Sequence, residues 1–229
     1  MSSRIENKQL VDELYDRITQ QQAIAPTFIV EISGTPNSGK TTSVLKFENL
    51  FNRKKMGFKF IHEMATKCPI NDKLLPEFNY WTGTSTMTKF WELLYKKPTV
   101  IICERGIFDA LCWLEFHYKR KSISEFQLKK MADFYLNDSL TKYKKYVLEL
   151  VCSPKCAVDR EYMINDYHIP GTIVNKEIVQ QINQSIKTSS DKYNDYFDRI
   201  ETVDSTNMDM ESTVTTVFNK ILHYLLDNI

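Results

Sequence analysis

The sequence predicts a three-layer α/β sandwich, with helices on both faces of a five-stranded parallel sheet. Short apolar runs rich in β-branched residues alternate with stretches of helical period along most of the chain, and such alternation calls for parallel strands joined by crossover helices. One run, Thr-Val-Ile-Ile-Cys-Glu at 99–104, stays apolar until its last residue, as a strand buried on both faces requires. A glycine-containing loop joins the first strand to the helix after it, so ligand chemistry is expected at the carboxyl ends of the strands.

In chain order, Ile5, Leu10, Leu14 and Ile18 recur at near-helical spacing and predict a peripheral amphipathic helix within residues 1–24. Residues 27–33 read as the first strand, followed by a helix to about Phe51, a strand over 58–63, and a helix over Thr84–Lys96. After the strand at 99–104 come helices over 107–120 and 124–143 and a strand over 146–151. A helix opens at Pro154 and runs to about Tyr162, and a longer one spans 175–197. A fifth strand, 199–203, and a last helix, about 211–227, complete the pattern. No repeat or linker divides it, so residues 1–229 read as one domain. The longest irregular stretches, 64–83 and 163–174, are the expected substrate covers.

The 229 residues carry 30 basic and 29 acidic side chains, so no global charge favours a polyanion or a membrane surface. No apolar run approaches the roughly 20 residues that span a bilayer, and the start lacks a secretory pattern, so a soluble cytoplasmic chain is expected. Five cysteines without a CxxC pair suit reduced thiols. Cys152 and Cys156 stand four apart without the partners of a zinc site.

Residues 34–42, Gly34-Thr35-Pro36-Asn37-Ser38-Gly39-Lys40-Thr41-Thr42, match the phosphate-binding loop pattern. Gly34 and Gly39 allow turns that aim successive amides at phosphate oxygens, and the helix starting near Gly39 adds its positive end. Lys40 then reaches the β- and γ-phosphates of ATP, and the Thr41 hydroxyl reaches Mg2+. The fold class is therefore that of the P-loop NTPases. Glu104, ending a buried strand, is a second candidate for Mg2+, directly or through water, and Arg105 beside it can pair with a phosphate or orient a carboxylate.

At these residues the chain resembles the nucleoside and nucleotide kinase group of P-loop proteins, which includes deoxynucleoside kinases and thymidylate kinases. The resemblance rests on 34–42, on Glu104-Arg105 and on the order of elements. It implies phosphoryl transfer from ATP to a small acceptor, a nucleoside or nucleoside monophosphate. His62-Glu63-Met64-Ala65-Thr66-Lys67 follows the second strand, where deoxynucleoside kinases have a glutamate that serves as base, so the resemblance implies that role for Glu63. Glu63 as a mere solvated strand cap is the alternative. The group also has a lid bearing arginines. Ser153 to Arg160 resembles its start, with the lid-like segment at about 153–174, although Arg160 is the only arginine between Arg120 and Arg199. Lys155 or Lys176 remain as substitute charges. Val203-Asp204-Ser205-Thr206 resembles the loop that borders the adenine.

Asp109, one turn beyond Arg105, either contacts an acceptor or complements the helix dipole. Phe78, Tyr80 and Trp81 precede a turn expected at Thr82-Gly83, and either stack on a nucleobase or pack in the core. Tyr118-Lys119-Arg120-Lys121 reads as a solvated helix end. Two other readings stay open: a polynucleotide or other metabolite kinase, and a regulatory P-loop ATPase. The composition offers no broad basic groove for nucleic acid, without excluding a local one. Asn175-Lys176-Glu177-Ile178 lacks the Asp of a guanine reader, which argues against a GTPase. The oligomeric state stays open, a homodimer included.

Overall fold

The structure, a computed structural model, describes residues 2–20, 27–164 and 173–229. Five strands form one all-parallel sheet: β1 (Phe28–Gly34), β2 (Lys59–Ile61), β3 (Val100–Glu104), β4 (Lys144–Val151) and β5 (Arg199–Asp204). Their spatial order is β2-β3-β1-β4-β5, so β1 is central and the chain leaves it in opposite directions, which opens a crevice at its carboxyl end. The helices are α1 (Ser2–Gln20), α2 (Lys40–Lys54), α3 (Pro76–Leu94), α4 (Ile107–Lys119), α5 (Glu125–Tyr135), α6 (Pro154–Ile164), α7 (Lys176–Tyr193) and α8 (Met210–Asn228).

Alternation along the strands builds the layers. Phe28, Val30 and Ile32 of β1, Val100 and Ile102 of β3, and Tyr146, Leu148 and Leu150 of β4 share one core with Val11, Leu14, Phe47, Phe51, Phe218 and Ile221 from α1, α2 and α8. The intervening Ile29, Ile101, Cys103 and Val147 face α3, α4, α5 and α7. On α2 the buried Ser43, Val44, Phe47 and Phe51 form the inward stripe, and the helix stops where Lys55 turns left-handed at φ 54°.

Several elements differ from the sequence reading. Helix α3 starts at Pro76, not Thr84, because proline is preorganised for the first helical turn and Glu77 complements the dipole there. Gly83 does not mark a turn. It lies inside α3, where an added Cβ would overlap the Tyr135 hydroxyl. The irregular stretch after β2 therefore shrinks to a 3-10 turn at Met64–Lys67 and a short loop. The helix expected over 124–143 ends at Tyr135, and a 3-10 turn at Asp138–Leu140 begins where the Asn137 side chain accepts from the Ser139 amide. That expected over 175–197 ends at Tyr193, and the strand expected over 58–63 spans Lys59–Ile61. Of the expected N-terminal and lid-like segments, residues 21–24 and 165–172 lie outside the described residues. No described helix is long and apolar enough to cross a membrane.

Parallel register aligns the motifs. Ile32 lies opposite Glu104, and Gly34 lies opposite Leu150, so the phosphate loop and the end of β3 emerge side by side. Gly34 has φ +127°, and a side chain there would overlap the Leu150 backbone. Gly34→Ala is therefore expected to destabilise the fold by about 2–5 kcal/mol, from the positive φ and the backbone overlap together. Denaturant unfolding measures this, and an unchanged midpoint would contradict it.

Candidate active site

The phosphate loop leaves β1 through Gly34, turns through Asn37 at φ 58° and Gly39 at φ 105°, and enters α2 at Lys40. Four attachments hold its shape. The Thr35 amide donates to Leu150 O at 3.1 Å. The Thr35 hydroxyl donates to Asn183 Oδ1 at 2.5 Å, and Asn183 Nδ2 donates to Cys152 O at 2.9 Å. Asn37 Nδ2 donates to Ala157 O at 3.1 Å and to Glu161 Oε2 at 2.7 Å. The Ser205 hydroxyl donates to Ser38 O at 3.0 Å. The loop is thus braced from α6, α7 and the β5–α8 connection.

Lys40 is buried and folds into this loop, donating to the Thr35 carbonyl with Ser38 Oγ at 3.4 Å. Burial pushes its ammonium down to about 7, helped by the neighbouring Arg105 charge, while Asp109, Glu63 and Glu104 pull the other way. The Thr41 hydroxyl hydrogen-bonds Glu104 Oε1. Glu104 is 2 % exposed and has no ion-pair partner among the described residues. A buried carboxylate without an ion-pair partner, beside a hydroxyl, fits a hard, oxygen-seeking cation, and Thr41 and Glu104 are the residues that would hold Mg2+.

Arg105 follows Glu104 with a left-handed backbone, φ 57°, uncommon for a residue other than glycine and a mark of local strain. Its Nε lies 2.8 Å from Glu63 Oε1. Its Nη1 donates to Asp109 at 2.9 and 3.2 Å and approaches Gly34 O at 3.4 Å. Asp109 also accepts from the Ser33 hydroxyl at 2.9 Å. Glu63, Arg105 and Asp109 are therefore one linked group, and Asp109 holds Arg105 in addition to its place in the first turn of α4.

The sequence reading missed the residue beneath this group. Glu31, in the middle of β1, is buried, and its carboxylate accepts from the amides of Gly106, Phe108 and Asp109 at 2.8, 2.9 and 2.8 Å. It ties the amino end of α4 to the central strand, and Gly106 lacks a Cβ that would sit 2.5 Å from Glu31 Oε2. Burial pushes the Glu31 carboxyl up to about 8, against the pull of the three amides. Its signal was present in the sequence, as an acid inside the otherwise apolar run Phe-Ile-Val-Glu-Ile.

Arg160 stands at the base of the lid-like segment. Its guanidinium donates to the carbonyls of Asn37 at 3.1 Å, Ser205 at 2.8 Å and Met208 at 2.9 Å, and to the Ser205 hydroxyl at 3.1 Å. Lys155 pairs with Asp159 at 2.8 Å at the surface. Cys152 and Cys156 are free thiols, and no cluster of metal-binding side chains occurs among the described residues.

Two cavities meet at Glu63 and Arg105. The larger, about 530 Å³, runs from the phosphate loop to Met208, Asp209, Met210 and Val214, just beyond the 203–206 segment expected to border the adenine. The smaller, about 40 Å³, lies between α3 and α4 and is bordered by Phe78, Asn79, Thr82, Asp109 and Trp113. Of the three α3 aromatics, Phe78 borders this cavity, while Tyr80 and Trp81 pack against the core.

No protein-family profile matches the sequence, and no curated protein does. Solved structures do. Deoxyadenosine kinase from M. mycoides with bound dCTP is similar at TM-score 0.62 and 18% identity, over 85% of this chain and 98% of the other. The same protein with the products dCMP and dCDP gives 0.63 and 19% over 85% and 98%. Thymidylate kinase from Ehrlichia chaffeensis gives 0.54 and 13% over 87% and 99%.

The fold is that of the nucleoside and nucleotide kinases. In this kinase fold the sheet brings the phosphate loop, Glu104 and Arg105 to one end, while Glu63 comes from the end of β2 and Asp109 from α4. At identities this low the likeness concerns the backbone, and the side-chain geometry above is this chain's own.

Two outcomes are expected. Glu31→Gln places an amide NH2 against backbone donors and loses about 1.5–3 kcal/mol of stability, read by denaturant unfolding. For Lys40, the folded value of about 7 lies below its ordinary 10.5. Between those pH values the unfolded chain holds a proton that the folded chain lacks, so this group makes stability rise with pH across that window. A triphosphate arriving in the loop restores the charged form, so binding at pH 8 takes up a proton. Calorimetry in two buffers of different ionisation enthalpy checks it, and equal apparent enthalpies would contradict it.

Proposed function

We propose that this chain transfers the γ-phosphoryl group of ATP to a nucleoside or nucleoside monophosphate. The observation that carries the reading is the meeting of a phosphate-loop cleft and a second, aromatic-bordered cavity at one carboxylate, Glu63, with Arg105 between them. A hydrolase needs no second lined site beside the phosphate, whereas a kinase needs one that can open to take an acceptor.

In this reading, the phosphate-loop amides of residues 34–42 and Lys40 bind the triphosphate tail, with its base toward Met208 and Met210. Thr41 and Glu104 would hold Mg2+, which would supply charge neutralisation to the triphosphate. Glu63 accepts the proton of the attacking hydroxyl when the acceptor is a nucleoside, and Arg105 orients that carboxylate through Nε. Asp109 and Ser33 keep Arg105 from swinging away. Positioning and charge stabilisation contribute most of the rate, since phosphoryl transfer asks little covalent chemistry of the protein.

The acceptor side supports a planar, partly polar guest. Phe78 and Trp113 offer aromatic surface, and Asn79, Thr82 and Thr86 offer hydrogen-bonding groups along one face of α3. At about 40 Å³ the cavity holds about one water rather than a nucleobase. An acceptor must therefore part α3 from Ile173 and Trp113, an induced fit. The similar solved proteins are named as kinases of deoxyadenosine and of thymidylate, which supports this acceptor range.

The test is ADP production with a panel of nucleosides and nucleoside monophosphates. Wild type is expected to require an acceptor, and Lys40→Ala to lose turnover by about a thousandfold or more. Glu63→Gln is expected to bind ATP within about twofold of wild type and to lose about 10²–10⁴ in kcat with a nucleoside. ADP formation at one rate with or without any acceptor would support a regulatory ATPase instead.

A further inference from the structure

A transferring phosphoryl group needs positive charge on the side facing away from the phosphate loop, and the residues between Arg160 and Lys176 contain neither lysine nor arginine. Among the described residues, the cations bordering the donor cleft are Lys40, Lys73, Arg105 and Arg160. Lys40 belongs to the phosphate loop itself. Arg105 is shared between Glu63 and Asp109. Arg160 directs both terminal nitrogens to the carbonyls of Asn37, Ser205 and Met208 and the Ser205 hydroxyl, and withdrawing it would orphan those part-buried acceptors. Lys155 and Lys176 border neither cavity.

Lys73 remains. It borders both the donor cleft and the acceptor cavity, a property it shares only with Glu63, Arg105 and Ile173 among the described residues. No described residue hydrogen-bonds or ion-pairs with its ammonium. Its backbone is placed by the turn leading into α3: Asp72 Oδ1 accepts from the Leu74 amide at 2.9 Å, and Asp72 O accepts from the Leu75 amide at 3.3 Å. An Asx turn thus holds a long, exposed and uncommitted cation over the junction where the two substrates meet.

We propose that Lys73 supplies the mobile positive charge that meets the phosphoryl group in transfer, and that Arg160 is a positioning residue joining the phosphate loop to the β5–α8 connection. The assignment rests on the phosphotransfer reading above. Lysine suits the task, since a flexible ammonium can follow the phosphoryl from donor to acceptor without a fixed bidentate geometry. The chain therefore moves the charge usually expected on the lid to the loop before α3, on the acceptor side of the cleft.

The experiment measures kcat, KM for ATP and ATP affinity for Lys73→Ala and Lys73→Arg, with Lys155→Ala and Lys176→Ala as controls. Lys73→Ala is expected to lower kcat about 10²-fold while ATP affinity stays within about twofold and the thermal midpoint is unchanged. Lys73→Arg is expected to recover most of that loss, and both controls to keep wild-type kcat. A Lys73→Ala kcat within twofold of a wild type that does transfer overturns the assignment and leaves the kinase reading standing. Loss on Lys176→Ala instead, or no recovery in Lys73→Arg, also overturns it. A wild type that transfers to no nucleoside or nucleotide removes the kinase reading, and the Lys73 role falls with it.

Discussion

The candidate site of this molecule depends on one buried carboxyl group, that of Glu31. Glu31 points off the central strand into the first turn of α4 and accepts three backbone amides there. Those amides are donors that every helix leaves unsatisfied at its start, so the contact both satisfies them and fixes the helix against the sheet. From that anchor the site follows in sequence. Helix α4 carries Asp109, Asp109 holds the Arg105 guanidinium, and Arg105 reaches Glu63 just after β2.

The donor half is held by different means. No helix dipole braces the outer side of the phosphate loop; side-chain amides, hydroxyls and one guanidinium do. Asn37, Asn183, Ser205 and Arg160 stitch the loop to α6, α7 and the β5–α8 connection. These bonds use side chains and carbonyls of the loop; of its amides, those of Thr35 and Ser38 donate to Leu150 O and Thr35 O. The start of α6 is thereby tied to the loop, while the cavity between α3 and α4 is nearly closed. The two halves touch where Glu63, Lys73, Arg105 and Ile173 border both cavities.

The sequence reading fared best where chemistry is carried by neighbours in the chain. A phosphate loop is such a case, because its glycines, lysine and threonine act within one turn. It fared worst around α3. There Thr82-Gly83 looked like a turn, since a lone glycine signals a break, but the glycine is demanded by Tyr135 from α5, a partner 52 positions away that no local pattern announces. Pro76, a better start signal than Thr84, lay unread in the same stretch. Lys73 was overlooked for a related reason: an exposed lysine in a loop has no sequence mark that separates it from dozens of solvated charges.

By itself, the sequence determined the three-layer parallel architecture, the phosphate loop at 34–42 and the acid ending β3, because periodicity and local turn chemistry act over a few residues. Only the tertiary structure decided which charges work together. The register that sets Ile32 beside Glu104, the packing that brings Glu63 to Arg105, and the commitment of Arg160 to distant carbonyls are contacts across about 40 to over 120 positions. They depend on how strands align and helices cross, which burial of two opposed cores settles cooperatively and no segment specifies alone.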